Sequence, residues 1–158
     1  MMKLSQLLQN VRVRESNADM EMEISGVSYD SRKTQAGDLF VAEEDGQIVA
    51  TAKINQEQVP VYASAAWSRE AKPQEVMVLH TLVVDPQVKG KGWGSRFVAF
   101  YEDYARDHGC RDLRMDTNER NAAARRLYHN LGYQEVSILP CEFNGIPGVN
   151  LVCLEKLL

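Results

Sequence analysis

The chain has little of what builds a disulfide framework, a metal centre or a membrane span. Its 158 residues include only three cysteines and three histidines. Cys110, Cys141 and Cys153 lie far apart and form no CxxC pair, so neither a zinc site nor a small disulfide scaffold is indicated, and buried or idle thiols are expected. No apolar run approaches the roughly 18 residues of a membrane helix. The opening MMKLSQLLQN carries one lysine and a broken apolar run, unlike a signal peptide. A cytoplasmic address with no membrane partner is the expectation. Basic charge is not in excess either: 18 Lys and Arg against 22 Asp and Glu leave a net charge of −4. That is the wrong sign for a general nucleic-acid binder, whose affinity comes from neutralising phosphates. Internal repeats and low-complexity linkers are also missing. What remains is 44% hydrophobic content, enough for one domain with a proper core.

The character of the chain changes near Gly37-Asp38, so residues 1–37 and 38–158 are read separately. LFVAEED and QIVATAKIN flank Asp45-Gly46, and a DG pair between apolar runs predicts a hairpin. The run from Glu75 to Val84 is short, rich in valine and leucine, and stopped by Asp85-Pro86, which predicts a central strand. Trp93, Phe97, Phe100, Tyr101 and Tyr104 fall at helical spacing, with Gly109 placed to cap the end. A strand over Asp112 to Thr117 and a helix over Asn121 to Asn130 follow. Two strands, Gln134 to Leu139 and Val149 to Glu155, then flank a loop PCEFNGIPG. The order predicts an α/β (α+β) fold, a mixed sheet with helices on it.

Gly90, Gly92 and Gly94 occupy alternate positions in VKGKGWGSRF, at the junction from the predicted strand to the predicted helix. Exposed amides and the positive end of a helix dipole make such a junction an anion site, and alternate glycines let the backbone curl around a phosphate. A P-loop and a dinucleotide-binding GxGxxG are both excluded by spacing. A turn needed only for sheet-to-helix geometry is the competing reading, but it does not call for three glycines flanked by Lys89 and Lys91.

With these residues in place, 38–158 resembles the GNAT superfamily of acyl-CoA-dependent N-acyltransferases. That family's loop has the form Q/R-x-x-G-x-G/A after a strand, and Lys89 to Gly94 matches it with lysine in the first position. The series Asn121, Ala124, Leu127, Tyr128 in NERNAAARRLYHNLGYQ matches a second family element. The resemblance implies a mostly antiparallel mixed sheet with flanking helices, and acetyl-CoA or coenzyme A as cosubstrate without a metal. It implies that the loop amides of Lys89, Gly90, Lys91, Gly92, Trp93, Gly94 and Ser95 hold the pyrophosphate. It further implies that backbone groups of Leu82, Val83 and Val84 pair with the pantetheine arm like an added strand, and that Asn121 contacts the cofactor.

An N-acyltransferase needs an amine that loses a proton, a donor for the thioester oxygen, and an acid for the departing thiolate. By resemblance, the amide of Leu82 faces the thioester oxygen and Tyr128 protonates the thiolate. Tyr128 also lies on the apolar helix face, so a plain core aromatic is its other reading. His80 is the only titratable side chain on the strand Val76 to Val84, and a period of two places it on the same face as Leu82. It is the first candidate base, beside the reading of a half-buried strand histidine with a satisfied ring; Glu75 or a water chain is the fallback. Asp116 and Glu119 read as solvated or capping residues.

LSQLLQNVRV and MEISGVSYDSRKTQAGDLFVA resemble the front edge of the Mur ligase that makes UDP-N-acetylmuramoyl-tripeptide, with Ser31 and Arg32 near its UDP group. The P-loop and catalytic domains of that ligase are absent, so ligase activity is not implied. A short helix over Leu4 to Gln9 and a strand over Glu21 to Tyr29 are expected in place of the usual opening of the acyltransferase fold, the strand pairing with Leu39 to Glu43. Missing opening helices would leave apolar sheet uncovered and favour a homodimer. Two functions follow: transfer of acetyl from acetyl-CoA to a primary amine of a small molecule or peptide, or a non-catalytic acyl-CoA-binding module whose amine site was lost at this N-terminal junction.

Overall fold

The computed structural model describes residues 2–3, 23–24, 27–28, 39–143 and 145–158. The elements are β1 (Met2–Lys3), β2 (Glu23–Ile24), β3 (Val27–Ser28), β4 (Leu39–Glu44), β5 (Gln47–Asn55), β6 (Val76–Val84), α1 (Trp93–Asp107), β7 (Asp112–Asn118), α2 (Ala122–Asn130), β8 (Gln134–Phe143) and β9 (Ile146–Leu157). β1 and β2 pair with each other, while the other strands form one sheet in the order β3-β4-β5-β6-β7-β9-β8. Among the described residues only β3–β4 and β6–β7 run parallel. The mixed, mostly antiparallel sheet with helices on it is the architecture expected from the sequence.

Local chemistry accounts for the boundaries. Asp45 and Gly46, at φ 53 and 76, supply the two left-handed residues that a tight hairpin between β4 and β5 requires. Both helices end in the same motif. Gly109 donates to Arg106 O at 3.0 Å and Cys110 to Ala105 O at 2.9 Å; Gly132 donates to His129 O and Tyr133 to Tyr128 O, each at 3.0 Å. The glycine adopts the left-handed conformation and the chain doubles back, which places Tyr133 beside Tyr128 with ring centroids 6.1 Å apart.

The sheet has two apolar layers. On one face Met77, Leu79, Leu113 and Met115 pack against Phe97, Val98, Tyr101 and Tyr104 of α1 and Tyr128 of α2. On the other, Val76, Val78 and Cys153 are covered by Tyr62 and Trp67 from the β5–β6 connection. That connection is tied down by Arg69, which pairs with buried Asp112, and by the Ser68 amide, which donates to Glu155 Oε1 at 2.8 Å. Tyr101 spans the parallel strands from α1: its hydroxyl donates to Met77 O at 2.6 Å and lies 3.2 Å from Arg114 O.

Two expectations need correction or completion. Pro140 to Gly148 is not a loop: β8 and β9 continue through it, pairing Cys141 with Val149 and Phe143 with Ile146. Pro140 is tolerated because β8 is the edge strand, where a missing N–H breaks no ladder bond on the outer side. Of the expected N-terminal strand, Val27 and Ser28 pair in parallel with Leu39 and Phe40, whereas Glu23 and Ile24 pair with Lys3 and Met2. The helix expected over Leu4 to Gln9, and Ser31 and Arg32, lie outside the described residues.

Candidate active site

β6 and β7 pair over only four positions, from Val76–Asp112 to Leu79–Met115. Beyond them β6 stays with β5 and β7 stays with β9. The inner edges His80 to Val84 and Asp116 to Asn118 therefore face one another with no strand between them among the described residues. The cause lies in β6. Between the pairs Lys53–His80 and Thr51–Val83, two residues, Thr81 and Leu82, oppose Ala52 alone, and Thr81 sits at φ 53. Such a bulge bends the strand away from its neighbour and leaves backbone groups unpaired. A β-branched residue in the left-handed region is strained, which marks the bulge as a feature that the surrounding packing enforces.

The bulge also reverses the side-chain phase. Val76 and Val78 belong to the Tyr62 layer and Met77 and Leu79 to the α1 layer, yet Leu82 and Val84 pack in the α1 layer. His80 shares the Val76 and Val78 face, so the expectation that His80 and Leu82 lie on one face is wrong: one extra residue separates them. The His80 Nε2 is 2.8 Å from Asn55 Oδ1, which also accepts from the Glu57 amide, so Nε2 carries the proton. Burial, and then Lys53, hold the His80 pKa below its ordinary value. Glu75 sits at the far end of β6, about 20 Å from Leu82 at the rise of a strand. Its carboxylate accepts from the Lys72 amide, so it is no partner for chemistry near Leu82.

After β6 a short turn begins with Asp85 Oδ1 accepting from the Gln87 amide at 2.8 Å. Lys89 and Lys91 donate their amides back to Pro86 and Val88, and Gly90 and Gly92 then take φ 83 and 80. Nothing lies within 4 Å of where a Cβ on either glycine would stand. Helix α1 starts at Trp93 without a side-chain cap, so the amides of Trp93, Gly94 and Ser95 have no acceptor among the described residues. Trp93 is buried against Val49 and Val88, with the Arg96 guanidinium 4.0 Å above its ring. Lys91 pairs with Glu44 at 3.1 Å. Open amides, positive helix end and left-handed glycines form a concave cradle for an anion.

α2 brings the second group of residues. Asn121 Oδ1 accepts from the Ala124 amide at 3.1 Å and starts the helix, which gives Asn121 a capping role of its own. Arg125 fixes the helix to β8 through two 2.7 Å bonds to Glu135. Tyr128 is 6% exposed, and its hydroxyl makes no hydrogen bond among the described residues. Burial first, and the Asp116 carboxylate second, push that hydroxyl up to about 12, so it stays protonated across the neutral range. Glu119 Oε1 accepts from Asn150 at 2.9 Å, a structural role.

Asp116 departs from its expected solvated or capping role. It is neither solvated nor a cap: it is half-buried, accepts from the Tyr62 hydroxyl at 2.8 Å, and is held above the usual carboxylate range mainly by burial. The signal was present in the alternation of β7, where buried Leu113 and Met115 leave Asp116 on the opposite face beside Arg114. A groove of about 680 Å³ runs along that face, lined by Gln58, Tyr62, Trp67, Arg69 and Arg114 among others.

The family model described as "Acetyltransferase (GNAT) family" matches residues 6–133. This chain belongs to the GNAT acetyltransferase family. An N-acetyltransferase of Bacillus subtilis is 30% identical over 97 residues, covering 61% of this chain and 58% of that protein. The L-methionine sulfoximine/L-methionine sulfone acetyltransferase of Salmonella typhimurium is 28% identical over 112 residues, covering 71% and 59%. This GNAT chain thus spans less than two-thirds of the length of these relatives. In fold it is similar to a Salmonella typhimurium protein solved with its cofactor acetyl-CoA, with a TM-score of 0.58 and 22% identity over 75% of this chain and 63% of that one. A diaminopimelate-adding Mur ligase of Syntrophomonas wolfei is 36% identical over 66 residues, covering 39% of this chain and 14% of the ligase, a partial likeness that fits the N-terminal resemblance loosely.

Of the residues expected to act, Leu82, Val83 and Val84 lie on the β6 edge of the opening, the loop from Lys89 to Ser95 leads from that strand into α1, and Asn121 and Tyr128 belong to α2 and its cap, which follow β7. His80 stands at the same opening on the opposite face. Among the described residues no group of His, Cys, Asp or Glu could hold a metal ion, and no helix is long and apolar enough to cross a membrane.

Proposed function

We propose that the chain is an acetyl-CoA-dependent N-acetyltransferase that acts on a primary amine of a small molecule or peptide. The observation that carries this reading is the opening between β6 and β7, with an unpaired strand edge, an uncapped helix N-terminus at its end, and a protonated tyrosine beside it. These residues fit acetyl-CoA: the cradle is empty of side chains at Gly90 and Gly92, and its first-turn amides lack acceptors. Within the loop from Lys89 to Ser95, the amides of Trp93, Gly94 and Ser95 would hold the pyrophosphate, since those of Lys89 and Lys91 already donate to Pro86 and Val88, and the Leu82 to Val84 edge would pair with the pantetheine arm. Acetyl-CoA supplies an activated acetyl group when bound. The Leu82 amide, freed from a regular ladder by the bulge, donates to the developing oxyanion. Tyr128, with no competing hydrogen bond among the described residues, would protonate the leaving thiolate.

Calorimetric titration with acetyl-CoA, followed by thiol release across L-methionine sulfone, kanamycin, spermidine and a short peptide, tests the reading. Saturable binding and release with at least one amine are expected. Binding with no release on any amine would instead leave only an acyl-CoA-binding module. A homodimer is supported by the exposed Ile138 and Ile146 along the β8–β9 hairpin at the sheet edge, and sedimentation velocity reads it directly.

A further inference from the structure

Arg114 of β7 is 4% exposed, yet its guanidinium is only partly satisfied. It lies 4.2 Å over the Trp67 ring, and its one side-chain hydrogen bond among the described residues runs from Nη1 to Gln58 Oε1 at 2.6 Å. Nε is enclosed without a partner. Nη2 has no partner either, and it is not enclosed. Nor does Arg114 make an ion pair among the described residues, although Glu155 stands directly across the ladder. Glu155 Oε1 is taken by the Ser68 amide, and Asp112 is taken by Arg69. A buried guanidinium with one free edge is costly, and folds retain such groups where a ligand completes them.

The groove of about 680 Å³ presents the positive groups of this face and hides the negative ones. Arg69 and Arg114 line it with Gln58, Tyr62 and Trp67, whereas Asp112 and Glu155 do not reach it, and Glu70, the acid on its wall, is exposed to solvent. The free edge of Arg114, Nε with Nη2, is the fork that matches the two oxygens of a planar carboxylate. Position ties the groove to the opening. Arg114 pairs with Val78 and the ladder ends one pair later, so Arg114 stands two residues, about 7 Å at the rise of a strand, before the first open position of β7. Tyr62 joins the two places, lining the groove while its hydroxyl donates to Asp116 at the opening. The other face of the sheet is filled by α1 and α2, so an acceptor has to come from the groove side.

We propose that Arg114 holds a carboxylate of the acceptor, so that the substrate class is an amine carrying a carboxylate a few bonds from its nitrogen, as an amino acid does. This rests on the acetyl-transfer reading. Nε and Nη2 donate to the two carboxylate oxygens, Gln58 keeps Nη1 in place, and the Trp67 ring supports the guanidinium plane. The amine nitrogen then reaches the opening between β6 and β7 from the groove. An amine without a carboxylate leaves the fork empty and loses that anchor. Arg114 is thus a specificity-determining residue, in contact with the substrate but away from the reacting bonds.

The test uses the full chain labelled with ¹⁵N at arginine side chains. The Arg114 Nε–H resonance is identified by its loss in Arg114→Lys, and sodium acetate is the probe. That resonance is expected to shift saturably with acetate and to ignore acetamide and sodium chloride. A resonance unmoved by acetate would overturn the inference even where coenzyme A binds; failure to bind coenzyme A, with the acetate response intact, would overturn the acetyl-transfer reading and the acceptor assignment with it. In turnover of the common α-amino acids beside their carboxamides, kcat/KM for the best amino acid should exceed that for its carboxamide by about 10²- to 10⁴-fold, the worth of two charge-assisted hydrogen bonds. Arg114→Lys, which keeps the charge and loses the fork, should shrink that ratio. An Arg114 that only supports the fold would lower both rates together and leave the ratio unchanged, which would overturn the inference. Equal turnover of acid and carboxamide by the parent protein would do the same.

Discussion

A Cβ on Gly94 would stand 3.0 Å from Leu127 Cδ2, so the first turn of α1 and the middle of α2 meet at a distance that only glycine permits without displacement. The glycine there is a packing requirement, unlike Gly90 and Gly92, which serve backbone conformation.

Gly94→Val should therefore destabilise the fold by about 1–3 kcal/mol through overpacking, measured by urea denaturation. Gly94→Ala should be milder, because gained helix propensity offsets part of the contact. Leu127→Ala combined with Gly94→Val should cost less than the sum of the two single changes, since each relieves the other. Strict additivity would show that the two helices do not meet as described.

Gly92→Asp should abolish acetyl-CoA binding while leaving a cooperative unfolding transition. The left-handed φ of 80 makes any side chain cost about 1–2 kcal/mol, and the carboxylate adds repulsion to a bound pyrophosphate. Gly92→Asn tolerates that φ without the charge and should retain measurable affinity. Equal affinities of the two variants, measured calorimetrically, would mean that charge at this turn is irrelevant.

Tyr128→Phe keeps the ring beside Tyr133 and removes a hydroxyl that has no hydrogen bond within the described residues. The melting temperature should change little, turnover should fall by about 10²- to 10⁴-fold, and acetyl-CoA affinity should hold. Near-normal turnover with a lower melting temperature would return Tyr128 to the role of a core aromatic.

Asp116→Asn should raise the melting temperature at pH 7. The folded pKa of Asp116 lies above its unfolded value, so the folded state binds the proton more tightly. The resulting penalty is fully present above the folded pKa and vanishes below the unfolded value of about 4. The advantage of the asparagine variant should accordingly shrink between pH 7 and pH 4 in a series of circular-dichroism melts. A constant difference across that range would show that Asp116 carries no ionisation penalty.

Most of the scaffold was legible because its signals are local. Asp45-Gly46 fixes its hairpin by conformation, Gly109 fixes the end of α1, and the aromatic spacing from Trp93 to Tyr104 fixes its buried face. The bulge was not legible: Thr81 is a strong strand former, and nothing in VMVLHTLVV announces that it turns left-handed. A period of two applied across it assigned His80 and Leu82 to one face, and the error followed from counting alone. Asp116 was missed for a different reason. Its half-buried setting depends on the Tyr62 hydroxyl, fifty-four positions away, and on the cover that the β5–β6 connection lays over this face, and neither is written in the sequence around β7.

The four-residue ladder between β6 and β7 joins two panels of the sheet, β3 to β6 and β7 to β9, with Tyr101 and the α1 layer spanning the join. Anything that grips the edge of one panel and the helix of the other would act as a brace across that join. Bound cosubstrate and amine would then stiffen the protein as a whole, and the slowest amide exchange would be found around Val78 and Arg114, where the panels are already joined.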